Sequence, residues 1–379
     1  MRHRSRRLGY PLVVMALILA ASAPLPVSAS AAPPPRPPSP VRPWVKLCLK
    51  LKLMPQHRRI RCHFPPAPRL AAAAAADKRM AESRRIPPTI SELSIPTVPS
   101  TPIGITAGPD GAMWFTENFA NKIGRVTTAG LFTEYTIPTT GSEPAYLTTG
   151  PDGAVWFTEA VGNKIGRITT SGTITEYTIP TADSYPWGIT VGPDGNLWFV
   201  ETLGNKIGRI TPSGTITEYA LPTSDVYAMH ITPGPDGNLW FTQPLGNSIG
   251  RITTSGTITE FTVPSSGAMP IGITVGPDGK LWYTDANGKV GSVTTTGTFT
   301  EYSLTDPDSF PWGITVGSDN NLWFVEQSAN NVASSSTSGI INEYAMPTVV
   351  SGPFDIAAGP DDNLWVTEDY VDQIAVVTP

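Results

Sequence analysis

Seven positions 41 or 42 residues apart end the same short apolar segment with a hydrogen-bonding side chain. They are Glu117, Glu159, Glu201, Gln243, Asp285, Glu326 and Glu368. Recurring carboxyls of this kind can accept backbone N–H bonds from a neighbouring loop, or two or three can share a hard cation. The only histidine between residues 89 and 379 is His230. An imidazole titrates near neutrality, so His230 is the candidate general acid or base. A third set is found where the copies differ: Ile103, Ala145, Trp187, Met229, Ile271, Trp312 and Phe354, with Glu143, Tyr185, Tyr227 and Phe310 just before four of them. Together they read as an apolar, aromatic rim with acids beneath. Such a rim suits a small amphipathic or cyclic molecule or a protein partner, or it covers a channel mouth. No glycine-rich phosphate loop, Ser-His-Asp constellation or Cys/His metal spacing occurs.

These residues recur because the segment that carries them recurs. Gly-Ile-Thr-x-Gly-Pro-Asp-Gly-x-Leu-Trp-Phe-Thr-Glu leads to Asn-Lys-Ile-Gly-Arg-Ile-Thr, then to Ser-Gly-Thr-Ile-Thr-Glu-Tyr-x-x-Pro. Its anchors are Gly108, Gly150, Gly192, Gly234, Gly276, Gly317 and Gly359. A fixed period of this length, built of short strands, predicts an all-β, seven-bladed propeller of four-stranded blades. In the third copy the strands are expected over 185–191, 196–201, 206–211 and 215–221, with Gly192-Pro193-Asp194-Gly195 as a tight turn. Trp114, Trp156, Trp198, Trp240, Trp282, Trp323 and Trp365 hold one slot and are expected to wedge between neighbouring sheets. The outer-strand motif Glu-Tyr occurs at Glu134-Tyr135 and in later copies. Ser91-Glu92-Leu93 precedes the first inner strand, and the last copy stops at Val377. Residues 90–95 are therefore expected to complete the last blade and remove its open edge. In that geometry the crossovers between blades share a face with the ends of the second strands. The opposite face has only tight turns, so ligands are expected on the crossover face.

The chain ahead of the repeats differs in kind. Residues 1–31 read as an export signal, with Arg2, Arg4, Arg6 and Arg7 before an apolar run from Leu12 to Ala23 and Ala29-Ser30-Ala31 as a cleavage site. The run is short for a membrane span, so a secreted or periplasmic protein is expected. Residues 32–88 form a proline- and alanine-rich linker, expected to be disordered, in which Cys48 and Cys62 could pair in an oxidising compartment. That linker carries a net charge of +11, against −20 for residues 89–379. The acidic repeats argue against nucleic-acid binding, whereas the basic segment could touch an anionic envelope surface. A monomer is expected.

Leu-Trp-Phe-Thr-Glu, Asn-Lys-Ile-Gly-Arg-Ile-Thr, Ile-Thr-Glu-Tyr and Pro-Thr resemble the repeats of the virginiamycin B lyase, or streptogramin lyase, family over residues 89–379. The resemblance implies a seven-bladed propeller. It also implies magnesium-assisted elimination that opens a cyclic depsipeptide at its ester, which needs a base and a metal. Active members carry histidine after proline where the last two blades begin; here Trp312 and Phe354 stand in those places. Gly352 stands where the family has one glutamate, and Glu368 or Asp369 could supply the other. Glu143 and Glu159 form a second candidate pair for a cation. The expectation is thus a streptogramin-lyase-like propeller that binds a ligand on the crossover face without the lyase reaction. A divergent lyase using His230 or a carboxylate as base, and a cell-envelope interaction module, are the alternatives.

Overall fold

The structure, a computed structural model, describes residues 87–379. The export signal, nearly all of the basic linker and the Cys48–Cys62 pair lie outside the described residues. Twenty-eight strands make seven four-stranded antiparallel sheets. Six sheets take their strands in sequence order. In the third, strands Pro186–Val191, Leu197–Glu201, Lys206–Ile210 and Ile216–Ala220 run from the axis outward. The tight turn between the first two is closed by Gly195 N–H to the Gly192 carbonyl at 3.0 Å, with Gly195 at φ 72°. That positive φ is why glycine recurs there.

The seventh blade takes its outer strand from the start of the repeat region. Thr89–Ser94 pairs antiparallel with Gln373–Thr378, setting Leu93 opposite Ile374. The predicted closure is therefore present, one residue earlier than expected.

Each tryptophan of the repeated slot is buried between two blades. Trp114 packs on Leu147, Val155 and Phe157 of the next blade, and Trp365 on Ile105, Met113 and Phe115 across the seam. The indole N–H is satisfied by the turn aspartate four residues back: Trp198 Nε1 donates to Asp194 Oδ1 at 3.0 Å. Six of the rings stack on the aromatic residue of their own outer strand, as Trp114 does on Tyr135 at 5.6 Å and 8°. Leu93 takes that place beside Trp365.

The repeated outer glutamate ties each blade to the one before it. Glu176 accepts from Thr139 N–H at 2.9 Å, from Thr139 Oγ1 at 3.0 Å and from Lys164 Nζ at 3.0 Å. Here Thr139 belongs to the crossover that leads into the blade. Recurrence of Glu-Tyr and Pro-Thr in the sequence is the trace of this bond.

Candidate functional site at the axial mouth

Each inner strand starts on the crossover face, next to the end of the second strand. Pro144 lies opposite Glu159, and Pro353 opposite Glu368. The residue before the inner strand is held left-handed in five blades, and Tyr227 takes the same place ahead of the shorter strand Ile231–Pro233 of the fourth: Thr101, Glu143, Tyr185, Tyr227, Phe310 and Gly352 have φ from 51° to 66°. Such a backbone is costly for threonine and aromatic residues and persists only where neighbours impose it. Here the loop after the second strand of the same blade does so, through bonds such as Ala160 N–H to the Glu143 carbonyl at 3.1 Å and Thr202 N–H to the Tyr185 carbonyl at 3.2 Å.

The variable residues that follow are brought together, but they are not an open rim. Ile103, Ala145, Trp187, Met229, Ile271, Trp312 and Phe354 are all buried, as are Tyr185, Tyr227 and Phe310. Trp312 stacks on Phe354 at 4.3 Å, and Trp187 on Tyr185 at 5.8 Å and 12°. Second-strand threonines fix the backbone of this layer. Thr116 Oγ1 donates to the Ala145 carbonyl at 2.8 Å, Thr158 to Trp187 at 2.7 Å and Thr284 to Trp312 at 2.5 Å. The expected aromatic rim is thus corrected to a packed layer, because the seven inner strands converge and their first side chains fill the space between them.

One residue further along the inner strands, four positions are glycine and three are not: Gly104, Tyr146, Gly188, His230, Gly272, Gly313 and Asp355. A Cβ on Gly104 would lie 2.7 Å from the Ala145 carbonyl oxygen, and one on Gly188 2.6 Å from that of Met229. Neighbouring inner strands therefore approach too closely for side chains all round. Tyr146 and His230 meet edge to face, ring centroids 4.3 Å apart. Burial pushes the His230 imidazole down to about 3, so it is neutral there. Burial raises the Asp355 carboxyl to about 7 against the bonds from Ile105 and Ile356 N–H. It raises Tyr146 as well, with the Asp355 charge adding to the effect. His230, the candidate acid or base, is a half-buried neutral ring packed on Tyr146, with its Nε2 shut off from solvent. Tyr146 and Asp355 went unnoticed in the sequence, although both depart from the same glycine slot.

The ring of second-strand residues is buried in every blade. Only Asp285 accepts backbone N–H bonds as expected, from Met269 at 2.9 Å and Asn287 at 3.1 Å. Glu117 has no hydrogen-bond donor at either oxygen, and Glu159, Glu201 and Glu368 have only a serine hydroxyl beside them, Ser142, Ser184 and Ser351. Burial first, and then a facing glutamate, lifts Glu117, Glu159 and Glu201 to about 8. Burial lifts Glu368 to about 7. At the seventh blade a Cβ on Gly352 would sit 2.5 Å from Asp369 Oδ1 and from the Tyr370 ring, so the place of the family glutamate is taken by other atoms. Among the described residues no three His, Cys, Asp or Glu side chains are grouped to share an ion. Glu143–Glu159 and Glu368–Asp369 therefore offer at most two carboxyls each.

What the crossover face does present is an apolar arc. Val349 (80% exposed) and Val350 lie in the crossover into the seventh blade, and Val98 (71%) in the crossover into the first. Phe119 (53%) and Val161 follow the second strands of the first and second blades. The crossovers into the third, fourth and sixth blades carry Asp183, Asp225 and Asp308 instead.

A family model described as the virginiamycin B lyase family matches residues 88–377. The chain belongs to the virginiamycin B lyase family. The crystal structure of virginiamycin B lyase from Staphylococcus aureus is 42% identical, covers 77% of this chain and 99% of that one, and has a TM-score of 0.74. A streptogramin B lyase structure is 38% identical with the same TM-score, covering 77% of this chain and 97% of that one. A catalytically inactive histidine-to-alanine variant of the S. aureus enzyme was solved with quinupristin. The extracellular domain of a putative hybrid two-component system from B. thetaiotaomicron, 15% identical at a TM-score of 0.61, covers 77% of this chain and 43% of that one and shares the fold alone. Against the virginiamycin B lyase family, this chain carries the stacked Trp312–Phe354 pair where histidines are expected. The one histidine it has among the described residues is half-buried, one residue further along on another blade.

Proposed function

We propose that this chain is a secreted virginiamycin B lyase-like propeller that binds a small amphipathic or cyclic molecule on its crossover face and does not carry out the elimination. The apolar arc of Val349, Val98, Phe119 and Val161 carries the binding reading. Exposed apolar residues on the loops of adjacent blades, beside acidic crossovers, support a recognition site there. Loss of chemistry rests on the base: His230 is a neutral, half-buried ring whose Nε2 is shut off from solvent, and Trp312 and Phe354 have no proton-accepting atom. Secretion rests on the N-terminal signal pattern. No helix among the described residues is long and apolar enough to cross a membrane.

Equilibrium dialysis of the full chain with a type B streptogramin tests the reading. Retention that is lost in a Phe119→Asp, Val349→Asp variant supports it. No retention, or equal retention by the variant, overturns this placement of the site.

A further inference from the structure

The fourth blade has an amide where the other blades have a buried acid. There Gln243 holds the acid position, and its amide Nε2 donates to Glu260 Oε1 at 2.9 Å. Thr223 Oγ1 donates to the other oxygen of Glu260 at 2.7 Å. Glutamine and a protonated glutamic acid have nearly the same shape, and both can donate through the distal group; an ionised glutamate can only accept. The other six blades keep the acceptor and change the donor. Their facing pairs are Glu117–Glu134, Glu159–Glu176, Glu201–Glu218, Asp285–Glu301, Glu326–Glu343 and Glu368–Glu92.

In four pairs the outer glutamate is the one dressed as an anion; Glu301 and Glu343 have fewer donors, a hydroxyl from Ser265 and an N–H from Thr305. Glu134, Glu176 and Glu218 take a lysine ammonium within 3.0 Å, from Lys122, Lys164 and Lys206. Glu92 takes both the N–H and the hydroxyl of Thr348. No lysine lies within hydrogen-bond distance of the inner acids; a serine hydroxyl faces Glu159, Glu201, Glu326 and Glu368. Asp285 leaves one oxygen without a partner after its backbone bonds, as Glu326 does after its bond from Asn331. Two carboxylates facing each other at this depth cannot both stay ionised.

We propose that the inner acid of these six blades is a neutral carboxylic acid whose proton is donated to the outer glutamate. The proton takes the place of the Gln243 amide hydrogen and clasps the second strand to the outer one. Through the outer glutamate the clasp also reaches the crossover threonine of the preceding blade. Other charged or titratable groups facing the acids are Lys122 and Asp372 at Glu117, Lys164 at Glu159, Lys206 at Glu201, Lys289 and Tyr283 at Asp285, and Asp306 at Glu326. The lysines favour the ionised form, but burial and the facing glutamate outweigh them in each case.

The clasp fixes a direction of pH dependence. A carboxyl near its ordinary value in the unfolded chain and at about 7 to 8 in the fold binds more protons when folded. Its stabilisation is complete below the ordinary value and is lost as pH rises through the folded one. Asp355 acts in the same sense, so single-blade variants are needed to isolate the clasp.

Full-chain Glu201→Gln copies the fourth blade into the third, and Gln243→Glu does the reverse. Glu201→Gln is expected to melt with the parent near about pH 5 and above it near about pH 8.5, because an amide does not ionise. Gln243→Glu is expected to match the parent at the lower pH and melt below it at the higher. Infrared spectra of the parent near about pH 6 should contain a protonated-carboxyl band that weakens in Glu201→Gln. Absence of that band in the parent, or a Glu201→Gln melting curve below the parent at every pH, overturns the clasp. Should one variant fail to fold, the parent spectrum and the other variant still decide.

Discussion

Thr348 meets Glu92 across the seam of the ring. Its N–H donates to Glu92 Oε1 at 2.8 Å and its hydroxyl to Oε2 at 2.6 Å, joining segments 256 residues apart. The upstream strand thus delivers a seventh copy of the bond that holds every other blade. Glu92→Ala leaves a partly buried N–H and hydroxyl without an acceptor, and is expected to cost about 1–3 kcal/mol. Urea unfolding reads this as a lower midpoint at unchanged slope. Deleting Thr89–Ser94 exposes the edge of Gln373–Thr378, and the shortened chain is expected to self-associate in sedimentation experiments.

The wedges predict a graded series. Trp198→Ala should cost about 3–5 kcal/mol, because a large side chain with no exposure leaves a cavity between blades. Asp194→Ala, which removes the acceptor of the Trp198 N–H, should cost about 1–3 kcal/mol. In the seventh blade Leu93 replaces the aromatic partner and lies 3.6 Å from a Cβ built on Gly130. Other blades pack tyrosine against that same glycine, as Tyr135 does against Gly172. Leu93→Tyr is therefore expected to stabilise by about 0.5–1.5 kcal/mol, measured by chemical denaturation.

Acid should destabilise through the outer glutamates. Burial alone would raise Glu134, Glu176 and Glu218, but bonds from lysine and threonine outweigh it and hold all three below the ordinary carboxylate value. A depressed folded value gives stabilisation that is present above the unfolded value and lost as pH falls through the folded one. Melting temperature is expected to fall as pH drops below about 4, and Lys164→Met should flatten that limb. An unchanged acid limb in the variant would remove the lysine from the account.

How much of this was legible depended on whether a feature repeats. The turn glycine, the wedge tryptophan and the Glu-Tyr motif recur in register, so the blades, their number and the seam could be read from the chain. Ligand residues do not repeat, and their depth is a property of seven strands converging. Nothing in the local sequence marks Trp312 or Phe354 as buried. Tyr146 and Asp355 could have been found by aligning the glycine slot that drew attention to His230. Val98, Phe119 and Val349 were missed because single apolar residues in crossovers carry no periodic signal.

The apolar arc predicts a separation of binding from stability. Phe119→Asp and Val349→Asp replace exposed side chains and should leave the melting temperature nearly unchanged. Each is expected to weaken retention of a type B streptogramin about tenfold, from loss of apolar contact and repulsion or desolvation at the ligand. Glu143→Gln, beside the arc in the second blade, tests whether an acidic neighbour contributes; a shift in salt dependence of binding would show it.

Chemistry at this face is the central question, and turnover answers it. The full chain is incubated with a type B streptogramin and magnesium, with the S. aureus virginiamycin B lyase as positive control, and the products are separated by chromatography and mass spectrometry. The account predicts that the cyclic molecule is recovered intact from this chain. A ring-opened isomer of identical mass, formed in proportion to protein, would contradict it.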